Sequence, residues 1–264
     1  MTTPPDMDSR AAFLRTLMTE AAEIAREGFA KAASFTMKGP QDFLTETDLA
    51  VEAHIRARLA ETFPDDGILG EEGGGSLAPV LWVIDPIDGT ANFARRVPHF
   101  CVCIAVVVEG VTELGAIIQP ISNERWFARR GGGATKNGAP MRAAATATLD
   151  TASVEFGWSR RTSVEQYLQV QRNLLTGGAS IRRGGSGALA LAWVAEGRSD
   201  GYLEIEMNCW DCLAGLLMVR EAGGQTALWP EILTDVARPG PVFAAAAGIA
   251  APLLAAFTEG TRHG

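Results

Sequence analysis

Leu81-Trp82-Val83-Ile84-Asp85-Pro86-Ile87-Asp88-Gly89-Thr90 is the stretch on which the reading of this chain turns. An apolar run ends on an aspartate, and Pro86 disfavours helical geometry at Asp85, so a strand arrives extended at its last residue. Asp85 and Asp88 then stand close together at the mouth of a sheet. Gly89 allows a sharp turn, and Thr90-Ala91-Asn92-Phe93 can open a helix whose first amides face outward. Two carboxylates beside amide donors make chemical sense where divalent cations bridge them to a phosphate. An Asp-Pro turn followed by an Asp N-cap accounts for the same residues without any ligand, and the segment alone leaves both readings open.

Outward from this stretch, the middle of the chain reads as strands. The run 80–84 and the longer Cys101–Val108 are apolar at consecutive positions, which predicts strands covered on both faces; 113–118 and 125–128 follow, with turns between. Gly131-Gly132-Gly133 and Asn137-Gly138 mark further turns or hairpins. Upstream, Phe13, Leu14, Leu17, Met18, Ala21, Ile24, Ala25 and Phe29 recur near helical spacing over 11–33, and Lys38-Gly39-Pro40 breaks that helix. A second helix carries Leu49, Val51, Ile55 and Leu59, takes Thr45, Thr47 or Asp48 as its cap, and stops before Phe63-Pro64-Asp65-Asp66-Gly67. From about 150 strands and helices alternate: Ser153–Phe156, a helix near 163–175, then 189–196 and 202–205, a helix after Asp211, and a strand–helix pair near 241–257. No flexible seam separates the two halves, 1–150 and 151–264.

With 264 residues, 47% of them hydrophobic and 20% charged, the chain can bury a core without disulfide or metal staples. Its 23 basic and 31 acidic residues give a net charge of −8, which argues against nucleic-acid binding through a basic surface. Anions must then be met locally, by metal ions or helix N-termini. The longest uncharged stretch, 242–257, is too short for a membrane span and is interrupted by Gly248 and Pro252. MTTPPDMDSR lacks the pattern of a signal peptide, and four cysteines without an export signal suggest reduced thiols in a cytoplasm.

Two further segments carry acids. Gly70-Glu71-Glu72-Gly73-Gly74-Gly75 places adjacent carboxylates in a loop with little side-chain bulk, which alone reads as a solvated loop. Asn208-Cys209-Trp210-Asp211 puts an acid just before the apolar run 213–219, which alone reads as an N-cap beside a core tryptophan. Cys209 and Cys212 spell C-x-x-C, and Cys101 and Cys103 C-x-C, a possible zinc set. The latter pair, however, lies in an apolar run where cysteine behaves as a small hydrophobe. The spacing Asp-x-x-Asp is not the Asp-x-Asp of an aspartyl-nucleophile phosphatase, and no P-loop string occurs.

Taken in order, Gly70-Glu71-Glu72, Asp85-Pro86-Ile87-Asp88-Gly89-Thr90 and Trp210-Asp211 resemble the inositol monophosphatase family. The likeness runs from Asp42-Phe43-Leu44-Thr45-Glu46-Thr47-Asp48 to Glu221-Ala222-Gly223-Gly224, and Arg129-Arg130-Gly131-Gly132-Gly133-Ala134 with Asn137-Gly138 looks like the family's hairpin. The resemblance implies a layered α/β sandwich. Two N-terminal helices cover a large, mostly antiparallel sheet, a smaller α/β part follows from about 150, and the active site lies between them. It implies that Glu71, Asp85 and the Ile87 carbonyl hold one Mg²⁺, that Asp85, Asp88 and Asp211 hold a second, and that Glu71 helps place a third. Asp48 and Thr90 match the pair that orients the attacking water, and the Gly89 and Thr90 amides would meet the phosphate. Glu204 corresponds to the carboxylate that binds sugar-ring hydroxyls, and Gly185-Ser186-Gly187 to a small-residue loop contacting the polyol; Asp88 and Asp211 border the same substrate.

The implied activity is Mg²⁺-dependent, Li⁺-sensitive hydrolysis of a small polyol phosphate such as myo-inositol monophosphate, by a cytoplasmic homodimer without membrane or nucleic-acid partners. Histidinol phosphate, fructose 1,6-bisphosphate and 3′-phosphoadenosine 5′-phosphate are the alternative substrates. A regulatory protein associated with RNA or transcription, built on the same fold, is the alternative class. One departure stands out: where the family often has a histidine after the Asn-Phe pair, this chain has Arg95 and Arg96, with His99 later. That basic pair either favours a more acidic substrate or salt-bridges its own loop.

Overall fold

A computed structural model describes residues 6–31, 35–39, 42–227, 229, 235 and 237–262. Residues 1–5, 32–33 and Pro40, on which parts of the readings above fall, lie outside these. Helix α1 (Met7–Ala30) begins earlier than its periodicity predicts because the Asp6 side chain caps it, accepting from the amides of Asp8 and Ser9. A hairpin of β1 (Phe35–Gly39) and β2 (Asp42–Thr45) follows, too short and too polar to be signalled by periodicity. Thr45 then caps α2 (Glu46–Thr62) in a capping box with Asp48, which resolves the three candidate caps.

The central strands are β3 (Gly67–Gly70), β4 (Gly74–Ser76), β5 (Val80–Asp88), β6 (Cys101–Val108), β7 (Val111–Gln119), β8 (Glu124–Arg129), β9 (Gly133–Lys136) and β10 (Ala139–Pro140), with the short helix α3 (Thr90–Ala94) after β5. They form one eight-stranded sheet in the order β10-β9-β8-β7-β6-β5-β3-β4. Its β3–β5 pair is parallel and the other pairs are antiparallel. The remaining elements are β11 (Ser153–Phe156), α4 (Val164–Thr176), β12 (Ser180–Arg182), α5 (Gly187–Ala195), β13 (Gly201–Met207), α6 (Cys209–Glu221), β14 (Gln225–Ala227), β15 (Gly240–Ala245) and α7 (Ala250–Arg262). Strands among them make a five-stranded mixed sheet, β12-β11-β13-β15-β14. The run 189–196 thus falls on helix α5, and the three-residue strand β12 ahead of it goes unsignalled.

Five layers result. One face of the large sheet (Trp82, Ile84, Ile104, Val106) packs on α1 and α2 through Leu14, Leu17, Ile55 and Leu59. Its other face (Val83, Cys103, Ala105) packs on α5 and α6, which also cover Tyr202, Val242 and Ala244 of the small sheet. The far face of that sheet (Val154, Phe156, Leu203, Phe243) is closed by α4 and α7. β5 and β6 are therefore sandwiched, as their unbroken apolar runs require. Polar ties pin the layers. Asp66 accepts from Trp82 Nε1 at 2.8 Å and from Arg10 Nε and Nη2 at 2.9 and 2.6 Å, fixing the start of α1 to the sheet. No helix among the described residues is long and apolar enough to cross a membrane.

α6 approaches the large sheet over Gly115 of β7, where a β-carbon would lie 2.8 Å from the Ala214 carbonyl oxygen. Backbone on backbone leaves no room to repack. Gly115→Val is expected to cost about 3 kcal/mol by overpacking. A lowered denaturation midpoint at unchanged m-value would report it.

Candidate functional site

β5 stays buried to its last residues, and Asp85 Oδ1 accepts from the Ile87 amide at 2.9 Å, which fixes the carboxylate at the strand mouth. β3 runs parallel beside it, and the Glu71 amide donates to the Ile84 carbonyl at 3.1 Å, so Glu71 stands next to Asp85. Asp211 arrives from the other side of the sandwich. It sits within the first turn of α6, whose N-cap is Asn208, not ahead of the helix as its sequence context suggests. One carboxylate oxygen from each of Glu71, Asp85 and Asp211 lies within 4.8 Å of the others. Among the described residues this is the one such cluster of potential metal ligands.

Three acids so close cannot all ionise cheaply. Burial, and then the neighbouring Glu71, Asp88 and Asp211 charges, push the Asp85 carboxyl well above the usual range. Asp211 is pushed up likewise, by burial and then by Glu71 and Asp88. Glu71 is raised to about 7 by burial, against the pull of Lys38, whose Nζ lies 3.7 Å from its Oε1. An all-oxygen donor set with surplus negative charge fits a hard divalent cation such as Mg²⁺. The four cysteines are all buried, with burial raising every thiol (Cys209 to about 12), which disfavours the thiolate that zinc or redox chemistry uses.

Asp88 is adjacent to that cluster but outside it. Its Oδ2 accepts from Ser186 Oγ at 2.5 Å and from the Ala188 amide at 2.7 Å, with the Cys101 thiol at 3.7 Å. Its Oδ1 accepts only the Gly187 amide, at 3.3 Å, and keeps spare lone-pair capacity. The carboxylate thus sits at the N-terminus of α5 and clips that helix to the large sheet. Gly89, with φ at 97°, makes the left-handed turn from β5 into α3. A β-carbon there would lie 3.1 Å from the His99 carbonyl. Thr90 Oγ1 lies 2.9 Å from the Ile87 carbonyl oxygen and 3.3 Å from Asp48 Oδ1. Asp48, wholly buried in its capping box, is raised to about 6 by burial, partly offset by hydrogen bonds from Thr45.

These residues surround a cleft of about 200 Å³. Glu71, Asp85, Ile87, Asp88, Gly89, Thr90, Gly185, Ser186, Gly187, Glu204 and Asp211 all line it, and Asp48 reaches it through Thr90. Glu204 is raised to about 7 by burial and accepts a hydrogen bond from Tyr202 OH. Sequence reasoning missed that tyrosine, although the two-residue strand period places it on the face of Glu204. It also missed Gly157, where a β-carbon would strike the Glu204 carboxylate, and Glu155, Trp158 and Arg183 in the cleft wall. Among the described residues the basic pair Arg95 and Arg96 makes no ion pair and stands away from the cleft lining. Arg95 stacks 4.5 Å over Phe43 and donates to the Ala91 carbonyl, while Arg96 donates to the Phe29 and Lys31 carbonyls, and neither lines the cleft.

A family model for the inositol monophosphatase family matches residues 6–261. Over 198 residues the chain is 42% identical to the Nus factor SuhB of Escherichia coli (strain K12), covering 73% of this chain and 74% of that protein. The extragenic suppressor protein suhB from Bartonella henselae superposes with a TM-score of 0.89 at 32% identity, covering 96% of this chain and 99% of that one. The inositol monophosphatase from Anabaena (Nostoc) sp. PCC 7120 gives a TM-score of 0.83 at 29% identity, covering 97% of each chain.

Proposed function

The chain belongs to the inositol monophosphatase family, and we propose that it is a Mg²⁺-dependent phosphatase of small polyol phosphates, with myo-inositol monophosphate as the reference substrate. The observation that carries this reading is the buried trio Glu71, Asp85 and Asp211, whose mutual repulsion at neutral pH a multivalent cation would relieve. Glu71, Asp85 and the Ile87 carbonyl would hold one ion, and Asp85, Asp211 and the open Oδ1 of Asp88 a second. Bound there, Mg²⁺ would offset the charge of the phosphate dianion, lower the pKa of water and stabilise the leaving oxygen.

The chain's own groups do the rest. Thr90 has a single hydroxyl proton; donated to Asp48 Oδ1, it leaves the Thr90 lone pairs to accept from the attacking water. Asp48 is poised for this by its raised pKa, within reach of neutral pH. The Gly89 and Thr90 amides at the start of α3 receive phosphate oxygens. Glu204, oriented by Tyr202, accepts hydrogen bonds from substrate hydroxyls, and the Gly185-Ser186-Gly187 turn admits the ring without side-chain bulk.

A second reading, a transcription-associated binding role, is favoured by the 42% identity to proteins named Nus factor SuhB. The net charge of −8 counts against direct nucleic-acid contact as its basis. Phosphate release from myo-inositol 1-phosphate, histidinol phosphate, fructose 1,6-bisphosphate and 3′-phosphoadenosine 5′-phosphate, with Mg²⁺ and with EDTA, separates the two. The expected result is turnover of the polyol esters that falls more than about 100-fold in EDTA. No Mg²⁺-dependent release from any of the four would refute the phosphatase.

A further inference from the structure

Six acids line the cleft, Glu71, Asp85, Asp88, Glu155, Glu204 and Asp211, and Arg183 is the one basic residue among the described lining residues. It stands on the turn between β12 and α5, exposed, immediately after an arginine with a different task. Arg182 Nε lies 3.2 Å from Glu155 Oε1, and its guanidinium stacks 5.3 Å over Trp193. Arg183 makes no described ion pair or hydrogen bond. Its guanidinium carbon lies 6.0 Å from the ring centroid of Trp158, which lines the same cleft. Arg183 shares the cleft with Glu204, the carboxylate proposed for the polyol. Arg161 is engaged with Glu206 at 2.9 Å. An acidic cleft therefore ends in one uncommitted guanidinium backed by an indole.

We propose that Arg183, backed by Trp158, is an anion-binding arm that selects polyol phosphates carrying a second phosphate on the alcohol part. This rests on the phosphatase reading above and narrows it from polyol monophosphates towards bisphosphates. A guanidinium offers a planar fork of donors that matches phosphate oxygens in pairs. The indole face restricts the arm and shields one side from water, which strengthens the contact. A monophosphate of a neutral polyol leaves the arm idle. The acidic-substrate preference that the sequence suggests for Arg95 and Arg96 is thus relocated to a residue that faces the cleft.

Fructose 1,6-bisphosphate and fructose 1-phosphate differ by one phosphate and make the test. The intact protein is expected to favour the bisphosphate by about 10-fold or more in kcat/KM at fixed Mg²⁺. In Arg183→Ala that ratio should fall to near one, Arg183→Lys should keep part of it, and Trp158→Ala should reduce it less. Raising the ionic strength should erode the ratio in the intact protein and not in Arg183→Ala. Equal treatment of the two sugars by the intact protein, or a preference that survives Arg183→Ala, overturns the arm. If neither sugar releases phosphate, the four-substrate panel above decides the phosphatase reading by itself. Calorimetric titration of both into the protein with Ca²⁺ then still decides the arm: an Arg183-dependent preference supports it, and its absence overturns it.

Discussion

Asp85→Asn is expected to lower kcat/KM for phosphate release by about 1,000-fold or more. It should also make the metal-free protein more stable. Asp85 is the acid common to both proposed ions and lies in contact range of Glu71 and Asp211 at once. The amide keeps the shape and still presents Oδ1 to the Ile87 amide, so the local turn survives. What disappears is a charge that burial and its acidic neighbours oppose. Removing it weakens cation binding and relieves repulsion in the empty site. One substitution thus moves activity and metal-free stability in opposite directions, which a simple packing defect would not do. Activity within about 10-fold of the parent, or a lower melting temperature in EDTA, would refute the assignment.

The trio came from the family resemblance: the end of an apolar strand at Asp85 left a ligand-free turn open, and locally the glycine-rich turn at Glu71 reads as a solvated loop and the head of an apolar run at Asp211 as an N-cap. Thr90 and Asp48 followed from the family resemblance, and the capping box that buries Asp48 follows from Thr45 lying three residues before it. The engagement of Asp88 was not legible. Its partners Ser186, Gly187 and Ala188 lie 98, 99 and 100 residues away, and nothing local announces a helix N-terminus arriving there. The same holds for the roles of the arginines. Arg95 and Arg96 look free beside the metal motif, but Phe43 and the end of α1, both distant in sequence, absorb them. Arg183 looks like half of an ordinary basic pair until Arg182 is seen to have taken Glu155. Strands of three residues, such as β12, are fixed by their neighbours and carry too few side chains to show a period.

The carboxylates that would bind metal also make the empty protein sensitive to pH in a direction opposite to ordinary acid denaturation. Asp48 is raised to about 6, Glu71 and Glu204 to about 7, and Asp85, Asp88 and Asp211 are raised as well. A carboxyl whose folded pKa exceeds its unfolded value of about 4 contributes stability below that value, and loses it as pH rises through the folded pKa. The window is therefore about pH 4 to 7. Glu124, lowered to about 2 chiefly by Arg198, gains its stability between about pH 2 and 5 and opposes the trend only at the acid end of this window. His99, lowered by burial and then by Arg182, opposes the trend, but as one group against seven, since burial raises Glu155 as well. In EDTA the melting temperature should thus fall by about 5–10 °C between pH 5 and pH 8. Mg²⁺ binds the ionised acids of the folded state and should recover most of that loss by mass action, so its stabilising shift should be small at pH 5 and large at pH 8. Thermal melts at the two pH values, with EDTA and with millimolar Mg²⁺, give all four numbers. A metal-free protein that gains stability from pH 5 to pH 8, or a Mg²⁺ shift equal at both, would mean that these carboxylates do not form a charge-frustrated cation site.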